Sequence, residues 1–313
     1  LNFPFTPTIE QEKTMENLAE FLLSEDDRKV FLLCGYAGTG KTSLISALVR
    51  TLEQLERKTV LLAPTGRAAK VFSGYSGKSA HTIHKCIYRQ KSILDGNTFT
   101  LAENRAQNTL FIVDEASMIS NEGNSIGGTG ALLDDLVEFV YSGRGCSLLL
   151  LGDTAQLPPV GEQLSPALTE SYLQSMFLNV TRVELTQVMR QLDNSGILYN
   201  ATTLRQSIAA EDTYSLPQIK LDGFEDIQNV QGDELIEAIE SSYNKAGMDE
   251  TIILCRSNKR ANVYNEGIRR RILYREEELS RGDMLMIVKN NYYWREVLGK
   301  EDKTLLEKLD FIA

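Results

Sequence analysis

The sequence predicts an α/β fold, a parallel sheet flanked by helices, and three observations carry that prediction. Short apolar runs recur at Lys29-Val30-Phe31-Leu32-Leu33-Cys34, Thr59-Val60-Leu61-Leu62-Ala63, Leu110-Phe111-Ile112-Val113 and Ser147 to Leu151. Such uninterrupted runs fit strands buried on both faces, as in a parallel sheet. Between them lie residues at helical spacing, such as Leu44, Ile45, Leu48 and Leu52, so strand and helix alternate. The first run also leads into Gly35-Tyr36-Ala37-Gly38-Thr39-Gly40-Lys41-Thr42, which fits the G-x-x-x-x-G-K-[ST] pattern of a phosphate-cradling P-loop.

Taken in order, the chain opens with a helix through Leu23 that Thr8 caps, with Ile9, Met15, Leu18, Leu22 and Leu23 on roughly one face and Gln11 early in it. In the loop that follows, Gly35, Gly38 and Gly40 permit positive φ, so backbone N–H groups can approach phosphate oxygens closely. The following helix adds partial positive charge at its N-terminus. Gly35, Ala37, Gly38, Thr39, Gly40, Lys41, Thr42 and Ser43 form the expected nucleotide-binding set. Lys41 is to reach the β- and γ-phosphates of ATP, and Thr42 to ligate Mg²⁺.

The second strand is broken by Pro64-Thr65-Gly66, and a helix starts near Arg67. Tyr88 to Asn108 is polar, with Asp95-Gly96-Asn97 as a turn between Ser92-Ile93-Leu94 and Thr98-Phe99-Thr100-Leu101. This predicts a small inserted hairpin within about residues 86–109. The third strand ends in Asp114-Glu115. An acid pair at a strand end is ordinary when it stands alone. Downstream of a P-loop, its first member is expected to face the Mg²⁺ and its second to activate the attacking water.

A Gly/Ser/Asn loop spans Gly123 to Gly130, and Leu132, Leu133, Leu136, Val137 and Val140 mark a helix. The fourth strand runs into Gly152-Asp153-Thr154-Ala155-Gln156-Leu157-Pro158-Pro159, and Val183-Glu184-Leu185 is expected to close the sheet. Beyond residue 190, helices are expected at Ile197–Ile208, Leu235–Tyr243 and Asn258–Leu273. A buried strand is expected at Thr251–Cys255, and a further strand at Asp283–Val288.

The 313 residues leave room for about two domains, here 1–190 and 191–313. No run of 18 apolar residues points to a membrane helix, and the opening residues do not form a signal peptide. Four scattered cysteines, without paired spacing, suggest a reducing, cytoplasmic setting. Leu1 rather than Met at the start suggests a processed or trimmed product. Net charge is −10, which by itself argues against nucleic acid. Yet Arg57 to Leu94 contains no Asp or Glu, eight Lys or Arg, and both histidines of the chain, His81 and His84. A local basic stripe of this kind can bind phosphates on an acidic protein.

These stretches together resemble the motifs of superfamily 1 nucleic-acid helicases, in the branch that includes RecD-like proteins. The P-loop is similar to motif I, Ala63 to Lys70 to motif Ia, and Ser79-Ala80-His81-Thr82-Ile83-His84 to motif Ib. Asp114-Glu115-Ala116-Ser117-Met118 resembles motif II, and Gly152 to Pro159 resembles motif III. The resemblance covers roughly residues 6–290. It implies a RecA-like P-loop domain followed by a second, partial RecA-like domain. It also implies ATP-dependent translocation on single-stranded DNA, 5′-to-3′, with unwinding, in repair or recombination.

By the same resemblance, Gln11 reads the adenine edge, Gln156 senses the γ-phosphate, and Arg190 supplies an arginine finger. Pro64, Thr65, Arg67, His81, Thr82 and His84 line the strand track, and the hairpin is a strand-separating pin with Phe99 as its apolar tip. Motifs V and VI of the family are missing before Ala313, so the chain is expected to stop within the second domain. Recombination or nuclease partner proteins are a further implication, since RecD-like proteins are often named after exonuclease complexes. Two other readings stay open: a helicase subunit of an exodeoxyribonuclease, and a P-loop ATPase that does not act on nucleic acid. The basic window and the motif Ia match argue against the last.

Overall fold

The computed structural model describes residues 3–90, 99–121, 130–188, 195–210, 214 and 216–285. The chain divides into two compact units, Leu1–Gln191 with Ile208–Glu211, and Leu192–Ser207 with Asp212–Ala313.

The first unit begins with α1 (Ile9–Leu23), β1 (Lys29–Gly35), α2 (Lys41–Gln54), β2 (Lys58–Ala63) and α3 (Gly66–Ser76). A short strand β3 (Ala80–Thr82), α4 (Ile83–Ile87) and the pair β4 (Tyr88–Gln90) and β5 (Phe99–Leu101) follow. Then come β6 (Thr109–Val113), a 3-10 turn at Ala116–Met118, α5 (Leu132–Ser142), β7 (Ser147–Gly152), α6 (Glu170–Ser175) and β8 (Asn179–Leu185). Six strands form one sheet in the order β3-β2-β6-β7-β1-β8, and every pairing in it is parallel.

The alternation of side chains along each strand builds two cores. Val30, Leu32 and Cys34 of β1 join one apolar cluster with Leu62, Phe111, Leu148 and the α5 residues Leu133, Leu136 and Val140. Phe31 and Leu33 face the other way, into a cluster with Leu18 of α1, Leu44, Ile45 and Leu48 of α2, and Phe72 of α3. Because both faces are covered, the central strands β1, β6 and β7 are apolar at nearly every position, which is why they read as continuous runs. Each such side chain, fully withdrawn from water, contributes about 1.5–3 kcal/mol.

The topology decides where the loops go. β1 lies between β7 and β8, with Cys34 opposite Gly152, while β6 lies between β2 and β7, with Val113 opposite Leu150. The carboxyl ends of β1, β6 and β7 are therefore neighbours on one edge, the usual place for a ligand in an open parallel sheet.

Several expectations meet a different outcome. The sheet gains a sixth strand, β3, whose three residues are too few and too polar to show a pattern. The hairpin is present, but its described strands are β4 and β5, with Tyr88 opposite Leu101 and Gln90 opposite Phe99. Its turn, with Ser92 to Leu94, lies outside the described residues, and Phe99 packs against the apolar cluster beneath α5 rather than forming a tip. Most of the Gly123–Gly130 loop also lies outside the described residues.

The second unit carries most of α7 (Gly196–Ala209), α8 (Leu235–Ala246) and α9 (Asn258–Arg271). Asn200 anchors the irregular stretch after α7: its amide donates to the Gly196 and Lys220 carbonyls at 2.8 Å each and accepts from the Lys220 N–H at 2.7 Å. Thr251–Cys255 is not a strand: Ile252 is 71% and Leu254 86% exposed, and no neighbouring strand bonds to it among the described residues. An apolar run becomes a strand only where a neighbour takes its N–H and C=O groups. Asp283 to Leu285 is likewise irregular, and the remainder of that expected strand is outside the described residues. Among the described residues no helix is long and apolar enough to cross a membrane.

Candidate active site

The turn from β1 into α2 builds the centre of the site. Gly38 and Gly40 adopt φ of 83° and 89°, the left-handed region where glycine has no steric cost. Gly40 is also needed for closeness, because a Cβ there would collide with the Gln11 amide. No side chain caps α2, so its first N–H groups are left for a ligand. Lys41, the first residue of that helix, folds its ammonium back to donate to the carbonyls of Gly35 and of Tyr36, the latter at 3.0 Å. Burial lowers the Lys41 pKa, while the nearby charges of Asp153, Asp114 and Glu115 act to raise it.

Gln11 is buried at 2% exposure and clamps α1 to this loop. Its backbone N–H and side-chain oxygen exchange hydrogen bonds with Thr8 in a capping box, at 3.2 and 3.0 Å. Its amide nitrogen donates to the Thr39 carbonyl at 2.9 Å. Each end of the amide thus has a protein partner and keeps one further lone pair or hydrogen. Glu10 makes a second tie: its carboxylate accepts from the Thr186 N–H and hydroxyl and the Gln187 N–H, at 2.7–2.9 Å, just past β8.

Asp114 and Glu115 leave the end of β6. One Asp114 oxygen accepts the Tyr75 hydroxyl at 2.6 Å, and the other accepts the Glu115 N–H at 2.9 Å. Glu115 sits at φ 55° and ψ 38°, left-handed although it is not glycine. Burial pushes the Glu115 carboxyl above its usual range, the Asp114 charge adds to this, and a hydrogen bond from Gln156 pulls it back. Gln156 also accepts the Ser117 hydroxyl at 2.8 Å, so the loop after β7 is tied to the turn after β6. Asp153, 6% exposed, accepts the Ala155 N–H at 2.9 Å and shapes that loop.

One cavity of about 620 Å³ gathers these groups, lined by Gln11, Lys41, Thr42, Asp114, Glu115 and Gln156 among others. Ala37, Gly38, Gly40 and Ser43 line it as well, whereas Gly35 and Thr39 are buried beneath it. Its size suits a nucleotide-sized ligand. Arg190 lies outside the described residues.

The residues assigned to a strand track sit at the ends of β2 and β3, on the same edge of the sheet. Thr65 caps α3 by accepting the Ala68 N–H at 3.2 Å, and Thr82 caps α4 by accepting the Lys85 N–H at 3.2 Å. Pro64 is half-buried, while Arg67 and His81 are exposed. His84 packs at 5.7 Å from the Tyr88 ring, and burial lowers its pKa, favouring the neutral ring. The two threonines are thus fixed by capping, and Arg67 is an exposed cation beside them.

Two groups at the site were not singled out from sequence. Tyr75 carried one faint signal, its spacing of three from Phe72 on the same face of α3. Phe3 and Phe5, which also line the cavity, carried none.

Comparison with known proteins agrees with the motifs. A family described as AAA domain matches residues 8–216. The chain is 29% identical over 218 residues to the ATP-dependent RecD2 DNA helicase of Deinococcus radiodurans, covering 68% of this chain and 26% of that protein. It is 26% identical over 314 residues to the ATP-dependent DNA helicase dda of Enterobacteria phage T4, covering 95% of this chain and 64% of that one. A crystal structure of the Pif1 helicase from Candida albicans aligns with a TM-score of 0.43 and 19% identity, over 77% of this chain and 55% of the other. The chain thus spans between about a quarter and two thirds of the length of these two curated relatives. The relatives bear out the resemblance to superfamily 1 helicases, and the chain belongs to the AAA domain family.

Proposed function

We propose that this chain is the ATP-hydrolysing core of a helicase that translocates on single-stranded DNA. The observation that carries the reading is the convergence of Lys41, Thr42, Asp114, Glu115 and Gln156 on one cavity at the carboxyl edge of the sheet. The uncapped N-terminus of α2 and the left-handed glycines fit a phosphate chain, and a hydroxyl beside carboxylates fits Mg²⁺. Thr42 and Asp114 would hold that ion, which would neutralise charge on the phosphates.

The chain's own groups do the rest. Lys41 exchanges two loop carbonyls for phosphate oxygens. Glu115, whose carboxyl burial holds above its usual range, is proposed to orient the attacking water and take its proton. Gln156, already bonded to Ser117 and Glu115, links the nucleotide end to the loop after β7. Arg190 is proposed as the finger that meets the transferring phosphoryl group. Gln11 is proposed to direct its remaining amide capacity to the adenine edge.

The proposed domains are a first RecA-like domain over 1–190 and part of a second over 191–313. Pro64, Thr65, Arg67, His81, Thr82 and His84 are proposed to follow the strand, with 5′-to-3′ polarity and a role in repair or recombination. Four free cysteines accord with a reducing, cytoplasmic setting. ATP hydrolysis measured with and without single-stranded oligonucleotide tests the reading. Stimulation supports it, and turnover indifferent to the oligonucleotide would point to an ATPase that does not act on nucleic acid. Displacement of a strand from duplexes tailed at the 5′ or 3′ end tests polarity.

A further inference from the structure

We infer that Tyr75 is a positioning residue for Asp114, an outer partner that fixes the metal-binding carboxylate from the helix that begins at the strand-track residues. This rests on the ATPase reading above and deepens it.

The geometry is specific. The Tyr75 hydroxyl donates to one Asp114 oxygen at 2.6 Å, and the Glu115 N–H holds the other at 2.9 Å. With both oxygens engaged, the carboxylate is fixed in its plane, and each oxygen keeps a further lone pair for a cation or its water. A hydroxyl on a carboxylate at this distance is a charge-assisted bond, stronger than a neutral pair.

The phenol is itself held in place. Its ring stacks on Phe72, which is fully buried, with centroids 5.1 Å apart and planes 26° apart. The Tyr75 backbone carbonyl accepts the Ser46 hydroxyl of α2 at 2.9 Å. Tyr75 therefore joins three elements: α3, whose first turn carries Thr65 and Arg67; α2, which follows the P-loop; and β6, which presents Asp114. It lines the main cavity and also a neighbouring one of about 180 Å³ with Thr42, Ser43, Ser46 and Arg50. Carboxylates that ligate metals depend on such outer hydrogen bonds, and loss of one typically costs about ten- to a hundredfold in metal affinity or activity.

The test uses the full chain and a fluorescent, non-hydrolysable ATP analogue titrated across Mg²⁺ concentrations and in EDTA. Tyr75→Phe keeps the ring and its stacking and removes only the donor. The expected result is about a tenfold rise in the Mg²⁺ concentration for half-maximal binding, with affinity in EDTA unchanged. In an Asp114→Asn background the same substitution should change nothing further, because the metal-binding carboxylate it positions is gone. A general folding defect would instead lower affinity in EDTA and persist in the Asp114→Asn background, and either outcome overturns the proposal. Wild-type Mg²⁺ dependence that Tyr75→Phe leaves unchanged overturns this proposal alone. Wild-type binding indifferent to Mg²⁺ would overturn the ATPase reading, and this one with it.

Discussion

The nucleotide cavity and the basic strand edge lie on the same side of one sheet, yet their side chains stand in different conditions. At the cavity, several chemical groups already have a protein partner: Lys41 on two carbonyls, Asp114 on Tyr75 and the Glu115 N–H, Gln156 on Ser117, Gln11 on Thr8 and Thr39. At the edge, the threonines are occupied as helix caps, and the charge is carried by exposed cations such as Arg67. The first arrangement suits chemistry, where groups must be aimed before the reaction. The second suits a sliding polyanion, where charge matters more than aim and salt screens it.

Lys41→Ala probes the contrast most severely. Turnover should fall by about a thousandfold or more, while oligonucleotide binding without nucleotide stays as it was. Near-normal hydrolysis by this variant would remove the P-loop from the mechanism. A parallel loss of oligonucleotide binding would mean that the two regions are not separable.

Glu115→Gln should lower turnover by about a hundredfold or more and leave nucleotide binding intact, whereas Asp114→Asn should weaken only the Mg²⁺-dependent part of binding. Comparing hydrolysis with equilibrium binding for the two variants checks this division of labour. Equal behaviour of the pair would show that they share one role.

On the strand edge, replacing Arg67 and Lys85 together by alanine should weaken single-strand binding. It should also flatten the dependence of log affinity on log salt by about 0.7 for each phosphate that is no longer neutralised. Hydrolysis without oligonucleotide should not change. An unaltered salt slope would place the track on another surface.

The smallest expected effect concerns pH. Burial raises the Glu115 pKa in the folded state, so folding is favoured when the group is protonated. That contribution is present at low pH and is lost as pH rises through the folded-state value, above which the ionised, buried carboxylate is destabilising. Glu115→Gln should therefore melt above the wild type at neutral pH, with the gap closing below the ordinary glutamate range. Melting curves at several pH values check it, and a gap that widens on acidification would reverse the sign.

Much of this was legible because particular residues leave strong patterns. The run Val30 to Cys34 is apolar at every position because helices cover both faces of its sheet. The P-loop announces itself through its glycines: Gly38 and Gly40 take positive φ, and a Cβ at Gly35 or Gly40 would crowd a neighbour. The strand β3 was not legible, since an edge strand of three residues with His81 at its centre has no periodicity to detect. Thr251–Cys255 misled for a related reason: composition reports burial of the side chains, and strand formation needs a neighbour for the backbone. The spacing of Tyr75 from Phe72 hinted at packing but not at its role, because a hydrogen bond to a residue 39 positions away leaves no local trace.

The backbone at Glu115 has a consequence for how this protein can change. A left-handed conformation costs a residue with a Cβ roughly 1–2 kcal/mol that glycine avoids. The substitution that best relaxes this turn, Glu115→Gly, also deletes the group assigned to water activation. A population screened for heat resistance alone should therefore drift towards glycine here and accumulate hardy, inert proteins. Under the role proposed for Glu115, selection for turnover should hold the strained glutamate in place generation after generation, so the frequency of glycine at this position in the two kinds of screen measures the cost of keeping the acid.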